Sequence, residues 1–280
     1  MKTIKLTLLC CLLSAFTFAD VSQSEKDALL ALYNSTNGDS WKTSWNTNEP
    51  VSDWFGVTVE DDKVVAIRLT FNNLEGQIPE EISGLSHLKS LNLSFNRLSG
   101  ELPKTITEMI SLEELQLYSN QISGSIPAEI GNLSRLRTLE LYNNDFSGEI
   151  PTSIGDLSNL EVLILSSNQL MGKLPTSITG LKSLKVLSLF DNSLLGTVPS
   201  SIGELTQLEE LVLSNNAFYG NLPGELAELS NLKTLLLSNN GFKGNYASLK
   251  DKLPNIVDFD LDEVNMKGAL ATLDSEDDDD

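Results

Sequence analysis

The chain is short of several things, and each shortage removes a class of function. Cysteine occurs twice in 280 residues, as Cys10 and Cys11, both inside the first twenty residues. Past that point no thiol nucleophile, disulfide staple or cysteine-ligated metal can form, so stability must come from packing. Histidine occurs once, as His87 in "GLSHLKS", a segment that reads as solvent-facing. No Ser–His pair, phosphate loop or metal cluster is visible. Catalysis is therefore not expected, and neither is a cofactor. Basic residues are scarce, 19 against 39 acidic ones, for a formal charge of −20 and a pI near 4.3. A polyanion is repelled by nucleic acid and by anionic membrane surfaces, so neither is an expected partner. Long apolar runs are missing too. Leu6 to Phe18 is the longest, short of the roughly 20 residues a membrane span requires.

That run has Lys2 and Lys5 before it and Thr17 and Ala19 after it, the layout of a secretory signal peptide over 1–19, cut between Ala19 and Asp20. Losing its two lysines takes the formal charge from −20 to −22. The expected location is secreted or extracellular, or periplasmic or cell-surface if the cell is bacterial.

What the chain has in abundance is one pattern. "LYNNDFSGEIP" at 141–151 meets "LYSNQISGSIP" one shift of 24 residues earlier and "LSSNQLMGKLP" one shift later. The register places asparagines at Asn72, Asn96, Asn120, Asn144, Asn168, Asn192, Asn216 and Asn240, with a glycine four residues after each. A proline follows three residues after the glycine in seven of these eight turns, Pro79 to Pro223, and no turn carries an insertion. A fixed period of this length marks a solenoid, in which one unit buries its apolar face only against its neighbours. The Leu-x-Leu alternation fits a short strand with leucines inward. Asn at the bend can bond backbone groups left unpaired there, Gly permits a tight backbone, and Pro fixes φ at the start of the outer segment. Segments such as "TSIGDLSNL" carry Ile154, Leu157 and Leu160 at near-helical spacing and suit 3₁₀ or short helical turns.

The unit L-x-x-L-x-L-x-x-N-x-L-x-G-x-I-P resembles the plant-type leucine-rich repeat, over about residues 60–270. The resemblance implies an α/β leucine-rich-repeat solenoid: a curved stack of short parallel strands on the concave face and 3₁₀ or short helical turns on the convex face. Residues 20–59 fit a helical, tryptophan-rich N-terminal cap. They resemble the cap of plant leucine-rich-repeat proteins, with Ser52 and Val59 standing where that cap has cysteines around Trp54 and Gly56. Trp41, Trp45 and Trp54 suit core packing within the cap. Eight repeats occupy 60–249, and 250–273 reads as a degenerate ninth repeat or C-terminal cap, in which Phe259 and Leu261 keep the strand. The run "DSEDDDD" in 274–280 reads as an acidic, disordered tail with no EF-hand spacing.

Function is expected on side chains that the framework leaves outward on the concave strands. Turns three and four place Tyr118, Tyr142 and Asn143 beside Glu114, Gln116 and Glu140. Turns five to eight supply an apolar strip that includes Ile164, Phe190, Val212 and Leu236, and turn nine is acidic. Aromatics beside carboxylates suit a basic or a carbohydrate-bearing partner, and the apolar strip suits a protein. The family resemblance, to receptor-kinase ectodomains and polygalacturonase-inhibiting proteins, implies recognition. The expectation is a secreted module binding an extracellular protein or peptide through its concave face. The alternatives are a cell-surface, polysaccharide-associated adhesion protein and an inhibitor of a secreted hydrolase. Sequons occur at Asn34, Asn92 and Asn132.

Overall fold

A computed structural model describes residues 21–244 and 246–261. The signal-peptide reading, the second half of the worn ninth turn and the acidic tail lie outside the described residues. Two sheets and a row of 3₁₀ helices form the three sides of a coil.

The concave sheet has ten strands. It begins with an antiparallel hairpin, Val57–Glu60 with Lys63–Arg68, and continues in parallel from Ser90–Asn92 to Asp258–Asp260. Equivalent residues of successive turns stand side by side, as Leu139, Leu163 and Leu187 do. Those leucines are fully buried, and their row continues into one core running from the cap to Leu261. Pro79, Pro103, Pro151, Pro175, Pro199 and Pro223 each sit at the N-cap of a 3₁₀ helix on the convex side. A fixed φ and a missing N–H are tolerated there.

The second sheet, eight strands from Glu75–Gly76 to Gly241–Lys243, was not expected from the sequence. It is made from the L-x-G-x segment. Its register slips by two residues per turn, so that Met171 faces Glu149 on one side and Ser193 on the other. Gly148, at φ +77°, holds the left-handed conformation inside such a strand, a shape that favours glycine.

Each framework asparagine from Asn96 onward ties its turn to the one before, and Asn72 ties the first turn to Thr43 of the cap. The Asn144 Oδ1 accepts the Ile122 N–H at 3.0 Å, while its Nδ2 donates to the carbonyls of Leu117 and Leu141 at 3.0 and 3.1 Å. Asn168, Asn192, Asn216 and Asn240 repeat this arrangement. Backbone groups at the corner, where neither sheet can satisfy them, are thereby paired.

The cap closes the N-terminal end. Ser22 and Glu25 form a capping box on the helix Gln23–Ser35. The buried Glu25 carboxylate also accepts the Val64 N–H at 3.1 Å, pinning the helix to the first hairpin. Trp41, Trp45, Trp54 and Tyr33 pack ring on ring, and the three indoles donate to the carbonyls of Thr36, Phe55 and Glu49. Their faces are spent inside the cap. His87 is about half exposed, with Nδ1 4.0 Å from Glu25.

Along one rim of the concave sheet, charges alternate turn by turn: Lys89, Glu113, Arg137, Glu161, Lys185, Glu209, Lys233. Arg137 and Lys185 both bond Glu161, at 2.8 and 2.6 Å, and Lys233 bonds Glu209 at 2.5 Å. Lys185, then Arg137, hold the Glu161 carboxyl below its ordinary range. Like charges stacked at strand spacing would repel, and alternation avoids this.

Candidate functional site

The corner residue before each framework asparagine is left-handed, with φ from 51° to 56° in all of turns one to eight. Turns three to eight fill that corner with Ser119, Asn143, Ser167, Asp191, Asn215 and Asn239, small polar residues of which Asn and Asp tolerate it well. Turns one and two fill it with Phe71 and Phe95, both at φ 54°. A bulky aromatic held there is strained by about 1–2 kcal/mol. Both rings are also exposed, at 55% and 39%, so no core burial offsets the strain.

Those two rings begin an aromatic ladder. Phe71 and Phe95 stack at 4.0 Å, Phe95 meets Tyr118 edge-on at 5.1 Å, and Tyr118 stacks on Tyr142 at 4.3 Å. Burial, helped by Tyr118 and Glu140, pushes the Tyr142 phenol up to about 12.

A polar row runs beside the ladder. Asn92 donates to Gln116 at 2.8 Å, and Gln116 donates to Glu140 at 2.5 Å. Ser90 donates to Glu114 at 2.8 Å, and the Arg68 guanidinium stands 3.8 Å from the same carboxylate. Where this row meets the cap there is a cavity of about 230 Å³, whose charged lining is Glu60, Arg68, Lys89, Glu113 and Glu114. The Asn92 side chain is engaged on both sides, since its Oδ1 accepts Ser94 Oγ at 2.7 Å.

The sequence-derived residues divide between two places. Glu114, Gln116, Tyr118, Glu140 and Tyr142 come together on turns three and four, each half-buried. Asn143 is exposed at the corner and donates to Ser119 Oγ at 3.1 Å. Ile164 and Leu236 are half-buried on their strands, and Phe190 is 36% exposed. Val212 needs correction. Its register points outward, yet it is 6% exposed, closed in between Ser188 and Leu236 of the adjoining strands, and it offers a partner almost nothing. Phe71 and Phe95 belong to the site and were not singled out by sequence. Their signal was two large apolar residues where every other turn has a small polar one.

Among the described residues no cluster of three or more His, Cys, Asp or Glu side chains could hold a metal, and no helix is long and apolar enough to cross a membrane. The arrangement can bind: an apolar ridge, a polar row already bonded to itself, and outward carboxylates.

Comparison with known proteins places this geometry in context. The family model described as "Leucine-rich repeat region" matches residues 114–257, and one described as "Leucine Rich Repeat" matches 87–109. A probable leucine-rich repeat receptor-like protein kinase of Arabidopsis thaliana is 41% identical over 81 residues, 28% of this chain and 8% of that protein. The chain thus spans under a tenth of that curated relative. The Arabidopsis receptor kinase HAESA, solved with the peptide hormone IDA and the co-receptor SERK1, is 29% identical with a TM-score of 0.77, over 86% of this chain and 41% of that one. A plant ice-binding protein is 25% identical with a TM-score of 0.65, over 86% of this chain and 85% of that one.

Proposed function

This chain belongs to the leucine-rich-repeat family, and we propose that it is a secreted recognition module that holds an extracellular protein or peptide against the cap-proximal half of its concave face. The observation that carries this reading is the aromatic ladder. Phe71 and Phe95 keep a strained backbone and an exposed ring at once, a combination that stability alone selects against. Solved relatives that hold peptide hormones support the reading at the level of fold.

Two of the three ladder contacts are parallel stacks. Within each stack, one face of each ring is taken up by its neighbour. This suits apolar side chains of a peptide better than a sugar ring, which needs an open aromatic face. Glu140 stands two residues before Tyr142 and Glu114 four before Tyr118, with Arg68 and Lys89 as the cations of the adjoining cavity. A ligand with apolar residues flanked by basic ones fits that field.

The test is a display selection of peptides against the purified chain, followed by titration of the winners against Tyr118→Ala/Tyr142→Ala. Enrichment of apolar–basic sequences that lose at least about tenfold in affinity supports the proposal. Failure to enrich, or winners indifferent to both tyrosines, sinks it.

A second reading has one observation in its favour. The plant ice-binding protein is matched over most of its own length, and the polar corner column from Ser119 to Asn239 repeats at fixed spacing, with Asn143 bonded to Ser119 and Asn239 to Asn215. A rigid polar lattice of this sort could order water. Thermal hysteresis of the purified chain decides it, and none above a buffer control removes this reading.

A further inference from the structure

We infer that Asn37 is a site of self-modification, at which the folded chain converts an asparagine amide to aspartate and isoaspartate with water as the only co-reactant. Asn-Gly occurs twice in the chain, as Asn37–Gly38 in the cap and as Asn240–Gly241 in turn eight. The dipeptide favours ring closure, because glycine puts no side chain in the way of its own amide nitrogen. The structure holds the two copies of it in opposite ways.

Asn240 is locked at a framework corner. Its Oδ1 accepts the Phe218 N–H at 3.0 Å, and its Nδ2 donates to the carbonyls of Leu213 and Leu237, both at 3.0 Å. Gly241 lies in the second sheet, opposite Tyr219. Asn37 is exposed and left-handed, at φ 58° and ψ 53°, and its side chain caps nothing. Gly38 opens the 3₁₀ helix Gly38–Ser40, so its N–H has no acceptor within that helix. No other described residue supplies one. Electrophile and nucleophile are both unengaged. A helix of three residues opens locally at small cost, which frees Asn37 to leave its left-handed shape as the ring closes.

The Gly38 nitrogen, giving up its proton, attacks Asn37 Cγ. A bond from that nitrogen to Cγ forms, the Cγ–Nδ2 bond breaks, and ammonia leaves carrying the proton. Water then opens the resulting succinimide at one carbonyl or the other, giving aspartate or isoaspartate. Isoaspartate adds a methylene to the main chain, and Gly38 has no room to absorb it. A Cβ on Gly38 would stand 2.3 Å from Tyr33 Cδ2, and the Gly38 carbonyl accepts Trp41 N–H at 3.2 Å and Ser44 Oγ at 2.9 Å. Tyr33 in turn packs on Trp41 and Trp45. The loop also grips turn one, since Ser40 N–H donates to the Asn37 carbonyl at 2.8 Å while the Ser40 carbonyl accepts Asn73 Nδ2 at 3.0 Å. Conversion at Asn37 therefore loosens the aromatic cluster of the cap and its hold on the first turn.

Peptide mapping by mass spectrometry, on the purified chain incubated at mildly alkaline pH, tests this. Asn37 should exchange its NH2 for OH at least about tenfold faster than Asn240, and an isoaspartate-specific methyltransferase should label the product. In urea, where the corner is lost, the two rates should converge. Equal rates in the folded chain, or faster conversion at Asn240, overturn the inference. So does a folded chain that keeps Asn37 intact while the unfolded chain converts it. Asn37→Gly retains the left-handed turn and removes the amide. Its tryptophan emission and thermal midpoint should hold steady through an incubation in which those of the parent drift. Equal drift in both chains overturns the link from Asn37 to the cap.

Discussion

Turns one to four and turns five to eight are built on one backbone repeat, yet they show different chemistry to solvent. On the concave side the first group carries the rings of Phe71, Phe95, Tyr118 and Tyr142 beside a bonded row of Asn92, Gln116 and Glu140. The second carries Val162, Ile164, Val186 and Leu236, all half-buried by their neighbours, with Phe190 alone among these concave apolar residues exposed, at 36%. On the second sheet the order is reversed, with serines in the first group and Met171, Leu195 and Tyr219 in the second. A solenoid separates these roles with ease. Each turn contacts only the next, so a change in outward chemistry is local. Past mid-stack, Phe190 is the exposed large apolar residue of the concave strands, while Met171, Leu195 and Tyr219 open on the second sheet.

If that comparison is right, framework residues should behave alike in both halves, and this is the largest effect. Asn144→Ala and Asn216→Ala each leave one backbone N–H, that of Ile122 or Leu194, without its acceptor, and remove one of the two asparagine donors from each of two leucine carbonyls. Each should lower stability by about 3 kcal/mol in urea unfolding, and a several-fold difference between them would break the equivalence. Next is Phe95→Asn. It removes a stacked ring and relieves a left-handed backbone, two effects of opposite sign, so stability should move by less than about 1 kcal/mol. Affinity for a selected peptide should nevertheless fall by about tenfold or more. Smaller again is Ser214→Ala. In the first half Ser90 and Ser94 hydroxyls have partners, whereas Ser214 Oγ is buried without one. Its removal should leave stability equal or raise it by about 1 kcal/mol. The smallest effect is a titration. The Tyr142 phenol ionises near 12, above its ordinary 10. The native state holds that proton longer than the unfolded chain, so the associated stability is complete below pH 10 and is lost as pH rises towards 12. Absorbance titration should show a late phenolate component that Tyr142→Phe abolishes.

Much of this was legible in the sequence because the framework is periodic. Asn144, Gly148 and Pro151 recur in register, and their roles follow from backbone chemistry common to all turns. The second sheet was hidden because its strands carry a glycine. In "DFSGE" that residue reads as a release of the backbone, and the in–out alternation of Phe146 and Ser147 is too short to outweigh it. Val212 was misjudged because register gives direction only. Whether an outward side chain reaches solvent depends on its neighbours, and Leu236 beside it is large. Phe71 and Phe95 stood in plain view, but their significance needed φ, which sequence does not display.

The most direct test of the central claim, recognition by the ladder of turns one to four, is calorimetric titration of one selected peptide against four chains: the parent, Phe95→Asn, Tyr118→Ala/Tyr142→Ala, and Met171→Ser/Leu195→Ser/Tyr219→Ser. The account predicts that the two ladder variants lose about tenfold or more in affinity while the second-sheet variant keeps the parent's intrinsic value. Equal affinity for all four chains, or a loss confined to the second-sheet variant, would contradict it.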